Sequence, residues 1–414
     1  MSLVELIDRK VEENKEFCVD VLKKLISIPT VNPPGEKYEE MCNYLAEVLE
    51  NLGLKVKVIK VPNDIVKKYY PQYANYPRFI VLGELGKGKP IIHFNGHYDV
   101  VPAGSGWSKD PFKPVIEKGK LYGRGASDMK GGIASIILTA KALTESKVDL
   151  KGKVELSFTP DEEIGGLTGV GYIVGQDIVR PDYAVIAEPS GLNNIWIGNK
   201  GAVWVTVEVF GKQAHGSTPW LGVNAFEKMV ELAYRIIKEL KPKIESKKSK
   251  YDYGDPRGAK ATVNIGGEVK GGAKVNIVPG YFSFSIDRRT IPEESADEAA
   301  KEIEEFINNV AKEIPDLKVN VKVMSKFNAT VSEPTTELVK TAVQSAKEVL
   351  GFEPATTVCI GGLDTRYFQE KGVQAITYGP GVPSTAHMAD EYIEIKDMVK
   401  IAKIYCRIIA SLLK

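Results

Sequence analysis

The chain has 414 residues, beyond the length at which one hydrophobic core keeps growing, so two domains are expected. Its 55 Lys and Arg against 54 Asp and Glu leave a net charge of +1, so no global field draws it to nucleic acid or to an anionic membrane. No run of about 18 apolar residues is present to span a bilayer.

In chain order, residues 5–27 carry apolar side chains at helical spacing and predict a helix. The charged, amphipathic N-terminus lacks the apolar h-region of a secretory signal. "SIPTVNPPGE" breaks the helix with its prolines and glycine. A second amphipathic helix is predicted over 36–52, stopped by Gly53. Short apolar runs at 54–59, 78–82 and 90–95 read as strands, 131–146 as a buried helix, and 153–159, 183–187 and 195–198 as further strands. Strands alternating with helices argue an α/β sheet with helices on its faces.

The texture changes near residue 199. "AVWVTVEVF" (202–210) alternates like a half-exposed strand. A helix over 223–240, strands around 260–269 and 280–287, a helix over 295–313 and the alternating "KVNVKVM" follow, giving the β-α-β-β-α-β order of a ferredoxin-like unit. From about 325 the α/β texture returns, with a helix at 335–350, a strand at 374–378 and a helix at 396–413. The expected fold is α/β. A larger domain, residues 1–198 and 325–414, has a mostly parallel central sheet flanked by helices, and an α+β domain, residues 199–324, is inserted into it. Cys18, Cys42, Cys359 and Cys406 form no C-x-x-C pair, so neither a thiolate zinc site nor a disulfide framework is indicated. A cytoplasmic enzyme or binding protein is expected.

The strand ends of the larger domain carry the chemistry. "PIIHFNGHYD" ends in His97 and Asp99, "VELSFTPDEEIGG" in Asp161, Glu162 and Glu163, and "YAVIAEPS" in Glu188; "QAITYGPGVPSTAHMADEY" is followed to His387. The glycine-rich "LYGRGASDMKGG" presents Asp128 just before a helix. Ligands of open α/β sheets bind beyond the carboxyl ends of the strands, so one edge gathers two histidines and at least four carboxylates. Acids so crowded repel one another unless cations neutralise them, and imidazole with carboxylate suits zinc, cobalt or manganese. His93, inside its strand, reads as structural.

The motifs "GHYDVVP", "YGRGASDMKGG", "TPDEEIGG", "AEPS" and "AHMADE" resemble, in order and spacing, those of the di-zinc amidohydrolase and peptidase superfamily of aminoacylase, acetylornithine deacetylase, succinyl-diaminopimelate desuccinylase and carboxypeptidase G. The resemblance covers nearly the whole chain. It implies two divalent metal ions per chain, zinc first, with cobalt or manganese as the other choices. His97 and Glu188 would bind one, Glu163 and His387 the other, and Asp128 both. Asp99 would accept the second imidazole N–H of His97 and fix its tautomer. Glu162 would be the general base acting on a water between the metals; the residues alone do not separate it from Glu163.

In the inserted domain, "FGKQAHGSTPWLGVNA" resembles the family's lid motif, which implies that His215 reaches into a partner subunit's site and polarises the scissile carbonyl. "GGEVKGGAKVNIVPG" contains Asn276, and "FSIDRRTIP" aligns Arg289 as a substrate residue with Arg288 as its alternate. "IGGLDTRYF" resembles a glycine-rich substrate loop, in which the backbone of Gly361 and Gly362 and the side chain of Arg366 would hold a carboxylate. Its Leu363-Asp364-Thr365 departs from the usual Thr-Ser or Thr-Asp. The implied activity is hydrolysis of the amide of an N-acyl amino acid. A dipeptidase or carboxypeptidase of the same family is the alternative, and a non-catalytic metal- or peptide-binding relative is disfavoured because every ligand position is filled. The implied partners are a small N-acyl amino acid or short peptide and a second copy of the chain, bound through the lid; neither nucleic acid nor membrane is expected. The alternating strand 202–210, with Val and Trp on its outward face, is the expected pairing edge.

Overall fold

In the computed structural model, which describes residues 3–413, the chain divides into two compact units. One runs to Gly198 and takes up again over Ser332–Thr357 and from Leu363 onward; the other comprises Asn199–Val331 and Val358–Gly362. The second unit therefore extends past residue 324. The strand Lys318–Phe327 runs through that position and is paired along its length with Gly201–Phe210.

The first unit is built on a sheet whose strands lie in the order 55–60, 79–86, 153–159, 91–97, 183–186, 374–377, 194–199. The expected parallel sheet forms its centre: Lys153–Thr159, Ile91–His97, Tyr183–Ile186 and Gln374–Thr377 are mutually parallel. Phe79–Gly86 and Lys55–Lys60 extend one side antiparallel, and Thr377 pairs antiparallel with Trp196 on the other. The central strands are apolar on both faces because helices cover both. Phe94 stacks on Tyr405, with ring centroids 4.9 Å apart, and its neighbour His93 points the opposite way onto Phe368 at 5.3 Å. His93 is structural as expected, its Nε2 lying 2.7 Å from Ser157 Oγ and its Nδ1 3.3 Å from Glu155.

The helix expected over 5–27 is two, Leu3–Glu13 and Lys15–Ser27. Asn14 stands at the break, and its amide donates to the Lys10 carbonyl at 2.9 Å, the competition with the main-chain ladder typical of short polar side chains. The three-stranded sheet of Val115–Glu117, Lys120–Tyr122 and Tyr392–Glu394 and the short helix Val170–Gly175 are additions to the sequence reading. All are too short to show a periodicity.

The second unit has the expected β-α-β-β-α-β order. Its antiparallel strands lie in the order Thr262–Gly271, Tyr281–Thr290, Gly201–Phe210, Lys318–Phe327. Helices Ala225–Arg235 and Ala296–Glu313 start at side-chain caps, Asn224 and Ser295, and pack on one face. Met229, Leu232, Ile303 and Ile307 meet Val203, Val205, Val207 and Val209 there. Gly201–Phe210 thus has both edges paired, and its valines point inward, which corrects the expectation of a free pairing edge. Trp204 and Phe210 occupy its outer face. Among the described residues no helix is long and apolar enough to cross a membrane, and the four cysteines are buried thiols outside any disulfide.

Candidate metal centre

Because the four central strands run the same way, their carboxyl ends meet at one edge. His97 is the last residue of its strand; Asp161–Glu163 follow Thr159, Glu188 follows Ile186, and His387 lies on the loop after Thr377. Asp128 enters from the turn before the helix Gly131–Ser146. His97 Nε2 is 3.2 Å from Asp128 Oδ1 and 3.4 Å from Glu188 Oε1. His387 Nε2 is 3.0 Å from Glu163 Oε2 and 3.4 Å from Asp128 Oδ2. Two donor groups result, His97–Asp128–Glu188 and Asp128–Glu163–His387, each with its donor atoms within 4.8 Å of one another and Asp128 common to both.

The frame around them is hydrogen-bonded to the main chain. His97 Nδ1 lies 3.0 Å from the Asp99 backbone carbonyl and 3.4 Å from its carboxylate, so the carbonyl is the nearer orienting acceptor. The Asp99 carboxylate also accepts the backbone N–H groups of Glu162 and Glu163, each at 3.2 Å. It ties the His97 strand to the Glu162–Glu163 turn, a role that spacing alone does not reveal. Glu391 does the same for Asp128. It accepts the N–H groups of Gly125, Ser127 and Asp128 at 3.0, 2.8 and 2.9 Å and the Arg124 guanidinium at 2.6 Å. Arg124 also donates to the carbonyls of His387 and Met388, joining the Asp128 loop to the His387 loop. Sequence reasoning missed both Arg124 and Glu391; the acid of "AHMADE" and the arginine of "YGRGASD" were the available signals.

Burial raises the carboxyls of Glu162, Glu163 and Glu188 above the ordinary range, Glu188 to about 8, with neighbouring acids adding to the effect. Asp128 and Glu163 push His387 up to about 10. At His97 burial lowers the value, but Glu188, Asp128 and Asp99 outweigh it and hold the ring well above its usual range. Such a cluster is stable only with compensating positive charge. Glu163 Oε1 is buried with no hydrogen-bond partner, which leaves a lone pair for a cation. Carboxylate oxygen and imidazole nitrogen are the donor set that zinc, cobalt and manganese take, so these residues fit two divalent ions.

A family model, Peptidase family M20/M25/M40, matches residues 93–411. The chain belongs to this family. It is 30% identical to an uncharacterized metallohydrolase of Methanococcus maripaludis, over 94% of this chain and 98% of that protein. It is 27% identical to succinyl-diaminopimelate desuccinylase of Nitratiruptor sp., over 95% of this chain and 99% of that one. Its fold is that of human carnosine dipeptidase 1, with a TM-score of 0.78 at 19% identity, covering 100% of this chain and 99% of the other. This M20/M25/M40 chain is accordingly a metallohydrolase acting on amide or peptide bonds.

The remaining candidate residues of this M20/M25/M40 chain are placed as follows. Arg366 is buried. Its Nη1 donates to the Leu363 carbonyl at 2.8 Å and its Nη2 to that of Gly165 at 2.6 Å. It braces the loop after Glu162–Glu163 rather than presenting a fork to a substrate carboxylate. Asp364 is buried against Gly166, where an added Cβ would come within 2.2 Å of its Oδ1. Gly361 and Gly362 belong to the second unit, and the N–H of Gly361 faces Cys359 Sγ at 3.4 Å. Arg288 is excluded as a substrate residue: it is fully buried, bonded to Glu302 at 2.6 Å and Glu294 at 2.5 Å. Arg289 pairs with Asp287 at 2.9 Å and lies over the Trp204 ring. His215 and Asn276 are neighbours in the second unit and both exposed; Gly216 N–H donates to the Asn276 carbonyl at 2.8 Å. His215 Nδ1 accepts the Ser217 N–H at 3.2 Å and lies 2.7 Å from Ser217 Oγ, which leaves the ring proton on Nε2.

Proposed function

We propose that the protein is a deacylase that removes the acyl group from an N-acyl amino acid, of the acetylornithine deacetylase or succinyl-diaminopimelate desuccinylase kind, using two divalent cations, zinc first. The observation that carries the reading is the pair of donor groups sharing Asp128, with Glu162 next in sequence to a ligand of the second group. The desuccinylase name of one relative supports the acyl substrate.

His97 and Glu188 would hold one cation, Glu163 and His387 the other, and Asp128 both. When bound, the cations supply charge that polarises the scissile carbonyl and acidifies water. The chain's own groups do the rest. Asp99 and Glu391 hold the ligand loops in place. Glu162 takes the proton of the attacking water and returns it to the leaving amine nitrogen. The Nε2–H of His215, contributed by a second copy of the chain, donates to the carbonyl oxygen as negative charge grows there.

A homodimer through the second unit is part of this proposal. Phe226, Val230 and Tyr234 recur at four-residue spacing along Ala225–Arg235 and are exposed, as are Trp220 and Leu221 just before it. An apolar stripe of this kind suits a two-fold, self-complementary contact. A cytoplasmic location is part of the same proposal.

The test is a hydrolysis screen of protein loaded with zinc, cobalt or manganese against N-acetyl and N-succinyl amino acids and dipeptides. The expected result is the highest kcat/KM on an N-acyl amino acid. Faster cleavage of dipeptides replaces the deacylase reading with a peptidase one, and hydrolysis of nothing with both ions bound overturns the catalytic reading.

A further inference from the structure

The family match begins at residue 93, and the earlier "VNPPG" stretch has so far served only to end a helix. The structure gives it a second use. Asn32 is fully buried. Its amide nitrogen donates to Asp99 Oδ2 at 2.8 Å and to Asp161 Oδ1 at 3.1 Å, so one side chain joins two buried carboxylates. Asp161 is further held by Arg78 Nε at 2.7 Å, by the Tyr38 hydroxyl at 3.0 Å and by Thr168. Asp99 holds the Glu162 and Glu163 N–H groups, and Asp161 immediately precedes them with φ at +67°. The turn bearing the proposed base is thus gripped from beneath at two points, and Asn32 is the link between the grips. Without its two N–H groups, two buried carboxylates would face each other with only their outer donors left, and such groups move apart.

We infer that Asn32 is a positioning residue for Glu162, acting through Asp99 and Asp161 and backed by Arg78. This rests on the reading of Glu162 as the base, because only then does the orientation of that turn set the rate. The nearest general precedent is the loss on removing a partner that orients a metal ligand, about 10- to 100-fold.

The test compares wild-type and Asn32→Leu enzyme, both loaded with zinc, by two readouts. The first is kcat and KM on whichever N-acetyl, N-succinyl or dipeptide substrate the wild type cleaves. The second is hydrogen exchange by mass spectrometry, comparing the segment 161–166 with the core strand 183–186. The expected result is kcat lower by about 10- to 100-fold with KM within about threefold, bound zinc unchanged, and faster exchange confined to 161–166. A merely structural role would speed exchange in both segments and leave kcat per folded molecule intact, and that result overturns the inference. So does unchanged exchange at 161–166, or a kcat within about threefold of wild type. If Asn32→Leu does not fold, Asn32→Ser, which keeps one donor, is judged by the same criteria. Should the wild type cleave no substrate of the panel, the functional reading fails while the exchange arm still decides the structural link. As a further check, Arg78→Lys, which restores a cation beside Asp161, should recover part of the activity lost in Arg78→Met; no recovery removes Arg78 from the frame.

Discussion

His97 and His215 each have Nδ1 engaged by a nearby residue, yet their surroundings differ in kind. His97 is 1% exposed, at the end of a central strand, and its ring contacts a carbonyl and three carboxylates. His215 sits in a two-residue strand paired with Ile277–Val278; it is exposed, and its Nδ1 meets the N–H and the hydroxyl of Ser217. The same contrast holds for the arginines. Arg124, Arg78 and Arg366 in the first unit and Arg288 in the second are buried and spent on main chain or carboxylate, whereas Arg289 is partly open. His97, as a proposed metal ligand, is fixed where charge is expensive and geometry is strict, at the edge of the sheet, whereas His387 on its loop is exposed. His215, proposed to serve a site in another molecule, is at the surface as that role requires.

The largest expected effect tests the buried side of this contrast. Glu162→Gln keeps the shape and removes the proposed base, so kcat should fall by about 100- to 10,000-fold while two metal equivalents remain, as measured by steady-state kinetics and elemental analysis. Loss of metal instead would exchange the roles of Glu162 and Glu163. The exposed side is tested by His215→Ala, expected to cost about 100- to 1,000-fold in kcat with metal content unchanged. Mixing the two inactive variants under subunit exchange should restore up to about a quarter of wild-type activity, since half the dimers are mixed and one of their two sites is intact. Mixed dimers that form, as seen by tagged pull-down, yet stay inactive would rule out action in trans.

Within the buried site, Asp128→Ala should disturb both metal equivalents and His97→Ala mainly one; two full equivalents in Asp128→Ala would refute the bridge. The smallest effect concerns stability and compares the two units directly. Glu155 and Glu302 are both held at about 2. Burial pushes them up, but His93 and Lys153 outweigh it at Glu155, and Lys247, Arg288 and Lys243 at Glu302. A carboxyl depressed in the fold stabilises fully above its ordinary value near 4.5, and that contribution is lost as pH falls toward about 2. Glu155→Gln and Glu302→Gln should each lower Tm at neutral pH, by about 2–4 °C per kcal/mol lost, and flatten the decline of Tm between those pH values. An unchanged acid profile would mean that neither carboxyl is depressed in the fold relative to the unfolded chain.

Much of this was legible before the structure. Apolar runs of strand length ending in acid or histidine marked the central strands and predicted which residues would meet, because parallel strands carry whatever follows them to one edge. The β-α-β-β-α-β unit was legible from alternation at 202–210 and 318–324. The partners were not. The Asp99 carboxylate, two residues from His97, was expected on the imidazole; it lies 3.4 Å from Nδ1, but the carbonyl is nearer and the carboxylate also holds a turn more than sixty residues away. Arg288 and Arg366 stood in motifs that suggested a substrate carboxylate, and burial committed both to structural partners.

The sequence by itself determined the donor chemistry, the strand ends that carry it and the two-unit organisation, because composition and periodicity are local and survive without coordinates. The tertiary structure alone decided which hydrogen bonds those residues make, that Gly201–Phe210 lies inside its sheet, and that Asn32, Tyr38 and Arg78 lie under the Glu162 turn. Those outcomes depend on which distant segments come within about 3 Å of each other, a separation at which hydrogen bonds form or fail, and no spacing along the chain encodes it.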